Sequence, residues 1–166
     1  DLPPLAQERA PVVARGDFVS EHDRMFRALV DQIKRDRFDK DLSGKLFGQL
    51  AEAPSYLDRA TVDVGNGHGD RFEVRYPESV GGDLVAEARL FPRDLVLPKE
   101  EAMLDLVEQE VRENRRVMVF GWHTDRKKGD ILARLARLLR DRLGDEVPIL
   151  YADKVPTGKR QAWIDK

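Results

Sequence analysis

The stretch that most constrains this chain runs from Glu113 to Gly144, ENRRVMVFGWHTDRKKGDILARLARLLRDRLG. Its apolar run RVMVF carries almost no polar interruption, the pattern of a strand buried on both faces of a parallel sheet. The segment DILARLARLLRDRLG then places Ile131, Leu135, Leu138 and Leu139 on one helical face, with Gly144 at the C-cap. Before the run, PKEEAMLDLVEQEVRENR has Pro98 at its entry, acids in the first turn and arginines at its end. Met103, Leu104, Val107 and Val111 form its expected buried face. VPILYA reads as a second strand, and TGKRQAWIDK as a further helix capped by Thr157. Helix, strand, helix, strand, helix predicts a right-handed α/β unit with parallel strands.

The first half has a different rhythm. DLPPLAQERAPVVARGDFV is punctuated by proline and reads as a connector. SEHDRMFRALVDQIKRD predicts a helix capped by Ser20, with Met25, Phe26, Leu29, Val30 and Ile33 as its apolar stripe. A second short helix over LSGKLFGQLAEA is stopped by Pro54. TVDVGNGHGDRFEVRYP alternates at Val62 and Val64, and again at Phe72, Val74 and Tyr76, predicting a hairpin across the glycine-rich turn. ESVGGDLVAEARLFPRDLVLP reads as an irregular linker. The expected division is therefore residues 1–97, helical with a hairpin, and residues 98–166, the α/β unit. A sheet of two strands leaves unpaired edges, which associate as a homodimer or are covered by the hairpin.

Composition narrows the function classes. The 166 residues are 41% hydrophobic and 36% charged with a net charge of −2, so any nucleic-acid binding must come from a local patch. The absence of cysteine removes thiolate chemistry and fits a cytoplasmic setting. No apolar run is long enough to span a bilayer, so no membrane partner is expected.

Most candidate chemistry dissolves on inspection. Gly65, Gly67 and Gly69 match a turn better than a phosphate loop, because no helical pattern follows them. Gly44-Lys45 and Gly158-Lys159 are followed by Leu46 and Arg160 in place of Ser or Thr, and Asp39 and Asp153 stand where a Walker A glycine is needed. His22, His68 and His123 are not spaced as metal ligands; His22 reads as an exposed first-turn residue. His123 stands out only by its place at the end of an expected parallel strand, where open sheets bind ligands. The stronger signal is Arg126, Lys127 and Lys128 after Thr124, at the mouth of a helix N-terminus, where a phosphate would meet cations, backbone N–H groups and the helix dipole together. Arg134, Arg137 and Arg140 read as a solvated polar face.

Lys99, the run Val117–Phe120, Thr124, Pro156, Lys159, Arg160, Trp163 and Ile164 together resemble the start of the second RecA-like lobe of superfamily-two helicases. Within that superfamily the similarity is to bacterial and phage Swi/Snf-like DEAD/DEAH-type enzymes. LPPLAQER and the Phe26/Leu29 helix resemble the exit from the first lobe, so the resemblance spans most of the chain, with residues 99–164 its specific part. It implies a piece of an ATP-dependent translocase that grips the phosphate backbone of a nucleic acid, DNA foremost. The phosphate contacts it implies are Thr124, Arg126, Lys127 and Lys128, with Arg160 as a further contact, and Trp122 is placed to stack or pack. The loop after Thr124 is longer and more basic than the family pattern, and the arginine-finger motifs do not follow Ile164. The missing first lobe would carry Walker A and Walker B, so no cofactor is expected here; ATP and Mg2+ belong to the implied parent. The rival reading is a non-catalytic α/β module that docks a protein partner. A Rossmann-like transferase is disfavoured, because GWHTDRKKG is a poor first βα turn.

Overall fold

A computed structural model describes residues 11–35, 40–62, 64, 69–76, 82–121, 130–144, 147–151 and 153–165. Among them are five α-helices, a 3-10 segment and a two-stranded antiparallel sheet, so the chain is a mixed α/β structure.

Helix α1 (Gly16–Arg35) buries Phe18, Met25 and Leu29, while Phe26 of the expected stripe is exposed. It begins before Ser20, whose hydroxyl donates to the Gly16 carbonyl at 2.8 Å from inside the helix. The earlier start has a partner: the Phe18 ring meets Phe91 edge-on with centroids 4.2 Å apart, and that contact holds the added turn against the core. Helix α2 (Lys40–Glu52) contributes buried Leu46 and gives way to a 3-10 turn over Ala53–Asp58. Pro54 lacks the N–H that would continue the α-helical ladder. Within that turn Tyr56 is fully buried, donates its hydroxyl to the Arg89 carbonyl at 2.5 Å and packs edge-on to Phe72. Burial, reinforced by the Glu21 carboxylate, pushes this phenol above the ordinary tyrosine range.

The hairpin pairs different segments from those the alternation predicts. Strand β1 (Arg71–Tyr76) is antiparallel to β2 (Asp83–Arg89), with Phe72 opposite Ala88, Val74 opposite Ala86 and an irregularity after Val74. The linker reading of residues 78–97 is thus corrected by β2. Thr61, expected in the first strand, makes only an isolated parallel bridge to Phe91. Alanine is a weak strand former, so β2 carries little signal of its own. Its buried Ala86 and Ala88 nevertheless give α1 a flat surface to pack on. The first core joins Phe18, Met25, Leu29, Tyr56, Phe72 and Phe91, and ends at Leu97.

Helix α3 (Pro98–Arg112) starts with Pro98 as its first residue, and Leu104 and Val107 face inward; Val111, expected inside, is exposed. Helix α4 (Ile131–Leu143) is capped by Asp130 and ends at Gly144, whose φ of 77° is the left-handed conformation glycine adopts without strain. Helix α5 (Thr157–Ile164) has Pro156 at its N-cap, one residue before the expected Thr157. A second core gathers Leu104 and Val107 of α3 with Leu138 and Leu139 of α4, and Val119 and Val147 pack against it.

The expected parallel strands do not form a ladder among the described residues: neither 116–120 nor 147–151 is a strand. Val119 is turned toward α3 and α4, while Met118 and Phe120 are 52% and 85% exposed. A run that is apolar at successive positions needs cover on both faces. Helices here cover only one, and the parallel RecA-like sheet is not shown.

A buried ion pair joins α3 to α4 and holds both to the segment that leaves the first core. Arg134 of α4 reaches Glu100 in the first turn of α3 with two parallel bonds, Nε to Oε1 at 2.6 Å and Nη2 to Oε2 at 2.8 Å. The same guanidinium donates to the carbonyls of Arg93 and Leu95, and Glu100 Oε2 also accepts the Leu97 N–H at 2.8 Å. Only 1% and 6% of the two side chains is exposed. The expectation that Arg134 lies on a solvated face is therefore corrected.

Glu100→Ala should lower unfolding free energy in urea by about 3–5 kcal/mol, because it strands a buried guanidinium. The double change E100L/R134M should recover much of that loss, since no charge is then left buried. A second expectation concerns acid. Burial pushes the Glu21 carboxyl up, but the Arg89 N–H and the Arg24 guanidinium outweigh it and hold the group below its ordinary 4.5. A depressed folded-state pKa contributes stability that is present above 4.5 and fades as pH falls through the folded value. Glu21→Gln should accordingly flatten the acid side of a stability-versus-pH curve, read as melting temperature between neutral and strongly acid buffers.

Candidate nucleic-acid interface

Thr124, Arg126, Lys127 and Lys128, together with Trp122 and His123, lie outside the described residues. Their two flanks are described, and both end at one place. Gly121 stands before the segment so close to α4 that an added Cβ would lie 2.6 Å from Leu132 Cδ2 and 3.2 Å from Ile131 Cγ2. Asp130 stands after it as the N-cap of the same helix.

Asp130 is fully engaged at this point. Its Oδ1 accepts the N–H groups of Leu132 at 3.1 Å and Ala133 at 3.3 Å. Its Oδ2 accepts the Tyr151 hydroxyl. The ends of the apolar segments 116–121 and 147–151 therefore meet at the N-terminus of α4. Two of the N–H groups that would greet a phosphate there are occupied by the chain's own carboxylate. A phosphate site combining cations with the bare helix start is correspondingly reduced to its cations.

Several other basic residues are built into the fold. Arg160 is half-buried and donates Nε to the Val155 carbonyl at 3.0 Å, bracing the turn before α5. Arg137 bonds the Arg93 carbonyl at 3.2 Å and lies 3.5 Å from Asp141. Arg142 meets Glu101, Asp105 and Glu108 along α3, and bonds to these carboxylates raise it above the ordinary arginine range. The acids of α3 are thus matched to the neighbouring helix. At the C-terminal end of α3, Arg115 is raised by its bond to Glu110, and that bond in turn holds Glu110 below its ordinary value.

His22 is not the exposed residue expected from its position. Its ring stacks on Phe26 with centroids 5.8 Å apart, Nδ1 is 3.2 Å from Asp23, and Nε2 is buried with no hydrogen-bond partner. Among the described residues no group of His, Asp and Glu is arranged to hold a metal ion, and no helix is long and apolar enough to cross a membrane. Sequence reasoning missed Asp130 and Tyr151. An Asp directly before an amphipathic pattern is a recognisable N-cap signal, whereas nothing local marks Tyr151 as its partner.

Gly121→Ala should cost about 1 kcal/mol in a denaturant melt, because its methyl group must push aside the half-buried Leu132 side chain. Compared with protein-family models, curated proteins and solved structures, the chain gives no match.

Proposed function

We propose that the chain is an α/β piece of a Swi/Snf-like superfamily-two helicase or translocase, contributing phosphate-backbone contacts without ATPase motifs of its own. In this reading residues 1–97 are the interlobe segment and residues 98–166 begin a RecA-like second lobe in the cytoplasm. Thr124, Arg126, Lys127 and Lys128 touch the phosphates of a nucleic acid, DNA foremost, and Arg160 supports them. ATP and Mg2+ act in the parent, held by the missing first lobe. One observation carries the reading. The basic segment follows Gly121, which packs against the first turn of α4, and precedes Asp130, the cap of that helix, where two apolar segments end.

The second reading, a docking module for a protein partner, is favoured by the exposure of Phe120 and Met118. A second copy of the chain joined through sheet edges is one such partner. The readings separate on salt. A phosphate clasp binds single-stranded and duplex oligonucleotides without sequence preference, with affinity falling steeply as salt rises. The charge-reversed K127E/K128E protein should lose most of that binding, and its salt slope should fall by about 2. Salt-insensitive binding, or binding untouched by the double reversal in a fluorescence anisotropy titration, contradicts the clasp.

A further inference from the structure

We infer that segment 93–97 is a strap shared by the two cores and latched by Arg134, a conformational device that makes both cores open and close as one cooperative body. This coupling does not depend on the phosphate clasp.

The elements pack chiefly within two groups, α1, α2 and the β1–β2 sheet around the first core and α3 on α4 around the second. The strap serves both. Leu97 is buried in the first core and Leu95 packs against it, whereas Val96, between them, packs against the second. Leu97 has extended backbone angles, φ −77° and ψ 150°. Successive side chains of an extended segment point to opposite sides, so one short run of chain is wall to both cores.

The backbone of the strap is held from the second core. Arg134 donates to the carbonyls of Arg93 at 2.7 Å and Leu95 at 2.6 Å, and Glu100 accepts the Leu97 N–H at 2.8 Å. Each of these bonds has an ionised partner, which makes it roughly twice as strong as a neutral one. When α3 and α4 part, the strap loses all three bonds and the packing of Val96 together. Leu95 and Leu97 then come loose, and the opening spreads to the first core. The Lys99–Asp58 pair links the same two groups at 2.7 Å, but with Lys99 71% exposed it is worth little in water.

Native-state hydrogen exchange tests the coupling, since it reads the opening of each element separately. Val107→Ala thins the second core alone and should speed exchange of the slowest α3 and α4 amides on the order of tenfold, the effect of losing two buried carbon atoms. With the latch intact, the slowest amides of α1 and β2 should quicken by the same factor. In E100L/R134M, the same Val107→Ala change should quicken α3 and α4 and leave α1 and β2 as they were. Should the double variant not fold, R134K takes its place: lysine keeps the charge but, as a single point donor, cannot hold Glu100 and both carbonyls. K99A, which breaks only the surface pair, should leave the shared response intact. If Val107→Ala in the otherwise unaltered chain leaves α1 and β2 unmoved, the cores are not coupled and the strap is overturned. If it quickens both groups equally in a folded latch variant, Arg134 is not the latch. If K99A alone separates the two responses, the coupling belongs to Lys99 and Asp58, and the role of Arg134 is overturned.

Discussion

The pairing of Arg134 with Glu100 is the contact around which this molecule is arranged. A guanidinium and a carboxylate almost wholly out of water meet in a two-pronged bond, and two further donors of the arginine are taken up by the carbonyls of Arg93 and Leu95. Removing two charges from water is unfavourable, so such a pair adds little net stability compared with an apolar pair. It supplies direction. Carboxylate, guanidinium and carbonyls satisfy one another in only one relative placement of α3, α4 and the segment that leaves the first core. The Glu100 bond to the Leu97 N–H couples the start of α3 to the same node.

From that placement the rim follows. With α4 fixed, its first turn receives Gly121 against Leu132 and Ile131, and its cap receives the hydroxyl of Tyr151. The helix is also held toward its far end by Arg142, which reaches Glu101, Asp105 and Glu108 of α3. Two of the α4 cations, Arg134 and Arg142, thus serve to join helices.

Helices are legible in the sequence wherever a periodic stripe coincides with an end signal, as in α4 with Gly144 and α3 with Pro98. A stripe without its partners misleads at the margins: Phe26 and Val111 face solvent, and α1 begins early because Phe91, far away in sequence, waits for Phe18. Strand β2 is illegible because its buried residues are alanines, whose role is to let a helix approach and not to signal extension. Arg134 is hidden for a related reason. Residue type places arginine on the wet side of a helix, and only the acid 34 positions away, Glu100, turns it inward. The run 116–120 has the pattern of a strand covered on both faces; the covering on one face exists in α3 and α4, and among the described residues no ladder forms. Of the candidate site, the sequence names the cations, and the structure describes the residues at the two ends of their segment: the tight glycine Gly121 and the capping carboxylate Asp130 with its phenol.

The proposed function turns on the rim of α4 being the surface that meets a nucleic acid. Amide chemical shifts of the isotope-labelled chain, followed while a short oligonucleotide is added at low salt, test this directly. A clasp at the rim predicts shifts concentrated at Gly121, Asp130 to Ala133 and Tyr151, with α1 and the β1–β2 sheet unmoved. Shifts centred on α1 or the sheet, or none anywhere, would contradict it.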